Sequence, residues 1–239
     1  MRIKTTNWNN LALAGALLVI ATAPAVLAQG LQLEAAVDPW TPDPLGDLLY
    51  DQTDSPLGGA FVSQRFAPVD AAFDCRAADD FTVPAGDIQW DVASAQVPGA
   101  YFPGTGPTPL IDVEFFGDAG GLPDAVAVCS YIGLVAGVDF LDVNGDLSVT
   151  LPAPCSLVAG DYWLSVRAEL DQAVGGQWIW EMRSAQNGAM FAWENPGDGF
   201  ATGCTSWTSA GSCGASGPDV LFSLSGVSVP VELQSIHID

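Results

Sequence analysis

Basic residues are nearly absent from this sequence. Of its 239 residues, six are Lys or Arg and one is His, against 28 Asp and Glu, for a formal net charge of -22. That balance excludes nucleic acid as a partner, because phosphate binding draws on Lys and Arg. The one histidine, His237, lies close to the last residue, Asp239. A Ser-His-Asp or Cys-His site needs a firmly positioned imidazole and is not expected there. No two of the five cysteines have C-x-x-C spacing, and with a single histidine a zinc site is excluded. Charged residues make up only 14% and hydrophobic residues 49%, which excludes a charged, disordered chain. No segment carries a sustained helical period, and 26 Gly and 17 Pro argue against a helical bundle.

The first residues read as an export signal. Arg2 and Lys4 precede an apolar run from Leu11 to Leu27, which ends in the small-residue pattern Val26-Leu27-Ala28. This is the layout of a secretory signal peptide with cleavage after Ala28. The run is shorter than the ~20 residues that a membrane span requires, and Pro24 interrupts it. Beyond it, no stretch is apolar enough to span a membrane. Cleavage removes two cations and none of the acids, leaving 211 residues with a net charge of -24 and no lysine. The expected location is secreted, in an oxidising compartment. There Cys204 and Cys213, flanking a Gly/Ser/Thr-rich loop, are expected to pair. Cys129 and Cys155 are expected to pair across a hairpin, with Cys75 left as a buried free thiol.

Alternation of apolar and polar residues runs through the chain, broken by Gly, Pro and Asp. Ile111, Val113 and Phe115 alternate with Asp112 and Glu114. Tyr162, Leu164, Val166 and Ala168 alternate with Ser165, Arg167 and Glu169. Trp178, Trp180 and Met182 share one face. Asn144-Gly145 between Phe140–Val143 and Leu147–Leu151 is a strong hairpin signal, because both residues tolerate positive φ. About ten short strands predict an all-β fold, an antiparallel β-sandwich or jelly roll. The organisation expected is a signal peptide at 1–28, an extended arm at 29–50, one sandwich domain at 51–226 and a strand-like tail at 227–239.

Several segments together resemble a poorly characterised class of bacterial secreted β-sandwich proteins. They are Leu49–Gln52, Ser63–Phe66, AADDFTVP at Ala77–Pro84, Gly120–Pro123, GDYWLSV at Gly160–Val166, GQWIW at Gly176–Trp180 and PDVLFSL at Pro218–Leu224. The resemblance covers roughly Asp47 to Gly226. It implies an exported, surface-associated domain and brings no catalytic residues with it.

Glycoside hydrolysis is the least excluded enzymatic reading, since it needs only two carboxylates. Glu181 and Glu194, beside tryptophans, are its candidates. With 28 acids, chance proximity is common, and no enzyme is expected. No cofactor is required. Calcium is the one ion that the pattern admits, because Asp142, Asn144 and Asp146 place oxygens at alternate positions. Leu147 stands where a calcium loop needs Gly, and the hairpin explains the same residues without a metal. Trp193 and Trp207, near Gly/Asn/Pro/Ser-rich loops, are the candidates for stacking on a sugar.

Two functional readings follow. The leading one is a non-enzymatic structural or adhesive protein of a cell surface or matrix, self-associating into fibres or a surface layer. Its assembly strand would carry Val227, Val229, Val231 and Leu233, donated to a neighbour's sheet edge. The alternative is a carbohydrate-binding module that uses exposed tryptophans and is stabilised by calcium.

Overall fold

The computed structural model describes residues 46–86 and 88–230. The predicted signal peptide, most of the predicted arm, His237, Val231 and Leu233 lie outside these residues. In chain order the strands are β1 (Asp47–Asp51), β2 (Pro56–Val62), β3 (Gln64–Arg65), β4 (Arg76–Val83), β5 (Ile88–Val97), β6 (Gly99–Tyr101), β7 (Leu110–Asp118) and β8 (Pro123–Val135). They continue with β9 (Phe140–Val143), β10 (Asp146–Val158), β11 (Gly160–Glu169), β12 (Trp178–Arg183), β13 (Ala192–Glu194), β14 (Thr208–Ser209), β15 (Asp219–Val220) and β16 (Ser223–Pro230). The fold is all-β. Ten of these strands have five or more residues, and the rest are shorter, among them β9 of the expected Asn144-Gly145 hairpin.

One sheet has the order β1-β16-β5-β10-β9. A second runs β14-β13-β4-β11-β7-β8, with β3 parallel to the end of β11. A smaller third sheet sets β15 and β2 on either side of β12, with β6 pairing β12 as well. The arrangement is sandwich-like. Val92, Val97, Leu147, Val149 and Leu157 from the first sheet join Ile111, Val113, Phe115, Leu164 and Val166 from the second in one buried core. Trp178, Trp180 and Met182 of β12 complete it from the third. Both indoles are fully buried, so their N–H groups need acceptors. Trp178 donates to the Gly145 carbonyl at 2.8 Å and Trp180 to the Leu221 carbonyl at 2.7 Å.

The β9–β10 hairpin turns on Asn144 and Gly145, with φ of 60° and 108°. Positive φ at both central residues matches the right-handed twist of the flanking strands. Gly145 is also fixed by space, since a Cβ there would lie 2.5 Å from the Ala100 Cα.

Two expected boundaries fall inside strands. β1 crosses the expected end of the arm and pairs with β16. β16 crosses the expected start of the tail, with Val227 opposite Asp91 and Val229 opposite Gln89 on β5. The expectation that Val227 and Val229 belong to a strand donated to a neighbour is therefore corrected, because their backbone already pairs within the chain's own sheet. The alternation that suggested a donor strand is the same alternation that lets β16 fill this place.

Disulfides join Cys129 to Cys155 and Cys204 to Cys213. Cys75 is a free, buried cysteine, and burial pushes its thiol up to about 12. Disulfides of this kind persist in oxidising compartments. Among the described residues, no helix is long and apolar enough to cross a membrane.

Candidate functional site

The second sheet is covered on both faces. Its outward face carries Ala78, Phe116, Trp163 and Ala192, which form a small buried cluster of their own. Leu122, Ala127, Ala189 and Trp207 pack against that cluster. Trp207 arrives there because β14 pairs with β13 and the Cys204–Cys213 bond closes the loop that carries it. Leu122 comes from the β7–β8 connection, whose tight turn is held by Asp118 accepting from the backbone of Gly120 and Gly121.

Between these two loops lies a cleft of about 370 Å³, lined by Arg76, Ala119, Leu122, Pro123, Ala125, Glu194, Ser206 and Trp207. Arg76 organises it. Its Nε donates to Glu194 Oε1 and its Nη1 to Glu114 Oε2, each at 2.7 Å. Its guanidinium carbon lies 4.7 Å from the centre of the Trp207 ring and 5.2 Å from that of Phe116. A planar cation meets both demands, bonding in its plane and stacking over rings. Phe116 and Trp207 meet edge to face at 5.7 Å. The Trp207 Nε1 is shielded from solvent and has no hydrogen-bond partner among the described residues. Trp207 itself is half-buried, so the cleft combines an aromatic wall, the Glu194 carboxylate and one arginine bonded both to it and to Glu114 behind.

Trp193 is not part of this surface. It is 1% exposed, lies in the main core against Phe61 and Phe200, and donates from Nε1 to the Val62 carbonyl. The expectation that it faces a ligand is corrected. The polar loop after it misled, because β13 is an interior strand between β4 and β14. The two glutamates proposed for hydrolysis are also separated. Glu194 lines the cleft above, whereas Glu181 lines another, of about 430 Å³, with Thr53, Pro56, Pro98 and Leu221. Burial raises the Glu181 carboxyl, and the nearby Asp146 raises it further.

The carboxylates of the Asp142–Asp146 turn serve protein donors. Asp142 accepts from Tyr101 Oη, the Thr108 amide and the Gly145 amide, and Asp146 accepts from the Gly99 amide. Among the described residues, no group of three or more His, Cys, Asp or Glu could hold a metal ion. The spacing that resembles a calcium loop is used here to close a hairpin.

A second acidic cluster is fully internal. Asp79 accepts from Gln52 Nε2 and the Val220 and Asp80 amides, and Asp219 accepts from the Asn187 amide. Burial raises the Asp79 carboxyl well above the usual range, and the charge of Asp219 adds to it. Burial likewise pushes Asp219 up to about 6.

Sequence reasoning identified Trp207 and Glu194 but missed Arg76, Glu114 and Phe116. The available signal was scarcity. Only four arginines follow residue 28, and each of them forms an ion pair.

No protein family model matches this chain, and no curated relative matches it. Among solved structures it is similar to the cysteine protease and lectin-like domains of a surface-layer-associated protein of Clostridium difficile. The identity is 10%, the match covers 64% of this chain and 32% of the other, and the TM-score is 0.42. A likeness at that level carries no role across.

Proposed function

We propose that the chain is an exported, non-enzymatic adhesive protein whose outward-face cleft at Trp207 holds saccharide. The observation that carries this reading is the half-buried Trp207 beside Arg76 and Glu194 in one cleft. An indole offers an apolar face to the C–H face of a sugar, while carboxylate and guanidinium groups meet its hydroxyls. Small-ligand sites start at roughly 300 Å³, so the cleft suits one short stretch of glycan. The Cys204–Cys213 bond keeps the Trp207 loop ordered before binding, which lowers the entropic cost of association.

Assembly through residues 227–233 would need a strand free to leave the chain's own sheet. Since β16 stands within the chain's own sheet, adhesion through the cleft is the mode we retain. A glycan array with the mature protein and Trp207→Ala tests it, with thermal melts to establish that both are folded. Signal on the wild type that disappears in the variant supports the proposal. An empty array, or a signal that survives the substitution, overturns it.

A further inference from the structure

The ligand chemistry of the cleft follows from its charge, given the saccharide reading above. Arg76 is the only cation lining it, and that cation is already bonded to two carboxylates, Glu114 and Glu194. The trio therefore carries a net negative charge. Glu194 uses Oε1 for Arg76 and Ser130 donates to Glu114 Oε1, while Oε2 of Glu194 accepts from no described residue. Glu194 lines the cleft while 8% exposed, so this oxygen is an unused acceptor at its wall. Asp118 and Asp124 flank the Leu122 and Pro123 wall and add to the same field.

No other part of the described molecule reverses the sign. Arg65 pairs with Asp112 and Glu169, Arg167 with Asp112, and Arg183 with Asp54 and Asp219. On a protein with a formal charge of -22, every described arginine is thus bonded to a carboxylate. Acidic glycans, whether uronic or sulfated, meet repulsion throughout and no free guanidinium to compensate.

We infer that the cleft selects amine-bearing saccharides, with the ammonium group of a glucosamine-type residue on Glu194 and the sugar ring against Trp207. An ammonium beside Glu194 restores neutrality in the trio, and a charge-assisted hydrogen bond to an otherwise unused carboxylate oxygen is the strong kind. The long-range field of the acidic surface would also concentrate a polycationic glycan near the cleft. That field alone is not selective for the site, so the test must separate the two.

The test is isothermal titration of the mature protein with tetramers of glucosamine, N-acetylglucosamine and galacturonic acid, at low and at near-physiological salt. Glucosamine tetramer is expected to bind about tenfold or more tightly than its acetylated counterpart, and galacturonate not at all. Glu194→Gln should remove that preference. Because this substitution also weakens the Arg76 pair, Asp124→Asn serves as a folded control that lowers surface charge equally and should keep the preference. Equal loss in both variants would reduce the effect to the general field and overturn the inference. Trp207-dependent binding of the acetylated tetramer without preference for the amine would overturn it while leaving the saccharide reading in place. No binding of any tetramer would overturn both.

Discussion

The guanidinium carbon of Arg76 sits 4.7 Å from the centre of the Trp207 ring, although 131 positions of chain separate the two residues. This stacking joins the outward face of β4 to the disulfide-closed loop, and through Glu114 and Glu194 it also ties β7 and β13 to that point.

Removing the arginine should therefore cost stability as well as shape. Arg76→Leu leaves Glu114 and Glu194 facing each other with little solvent. The pair is partly exposed, so the expected loss is about 2 kcal/mol rather than the full penalty of a deeply buried pair. Urea unfolding at pH 7 measures it. A variant as stable as the wild type would contradict this account.

The Cys204–Cys213 bond closes a short loop, with a sequence separation of 9. In the chain-entropy picture such a bond contributes about 3 kcal/mol. Replacing both residues by Ser should lower the melting temperature and abolish saccharide binding, because Trp207 loses its anchor. Replacing Cys129 and Cys155 by Ser should lower the melting temperature comparably and leave binding intact. Calorimetry together with titration on the two double variants separates local from global effects.

Asp79 and Asp219 should make the protein more stable in mild acid than at neutral pH. Both carboxyls are raised in the folded state, Asp219 to about 6 from an ordinary 3.8. A raised carboxyl binds more protons folded than unfolded, so its contribution is complete below pH ~4 and is lost as pH rises through about 6. Asp219→Asn keeps an acceptor for the Asn187 amide and removes the buried charge. It should raise stability at pH 7 by on the order of 2 kcal/mol and flatten the profile between pH 4 and 6. Urea unfolding across that range reads both effects, and an unaltered slope in the variant would count against Asp219 as the source.

Asp142 should matter for stability whether or not calcium is present. Asp142→Ala withdraws the acceptor from Tyr101 Oη, the Thr108 amide and the Gly145 amide, an expected loss of about 3 kcal/mol. Melts with added calcium and with chelator should coincide for wild type and for the variant alike. A chelator-dependent melt in the wild type alone would restore a metal role to the turn.

The strands were legible because alternation is local. Ile111, Val113 and Phe115 are all buried, as are Leu164, Val166 and Ala168. The Asn144-Gly145 hairpin was legible for the same reason, since its φ requirement concerns two adjacent residues. Alternation misjudged the opposite faces. Asp112 and Ser165 alternate with those apolar residues, yet both are buried: Arg65 and Arg167 pair with Asp112, and Ser165 donates to the Ala77 carbonyl of β4. The same limit explains Trp193, which is followed in sequence by the polar Glu194 and Asn195 and packs in space against Phe61 and Phe200.

The acidic surface, the scarcity of cations, the all-β periodicity and the tight turn were determined by the sequence alone, because each depends on composition or on residues a few positions apart. The pairing of Arg76 with Glu194, across 118 positions, and its stacking on Trp207 were decided only by the tertiary structure. Nothing in local pattern specifies which carboxylate an arginine will meet. That choice is made when β4, β7, β13 and a disulfide-closed loop converge on one face of a sheet and leave one cleft between them.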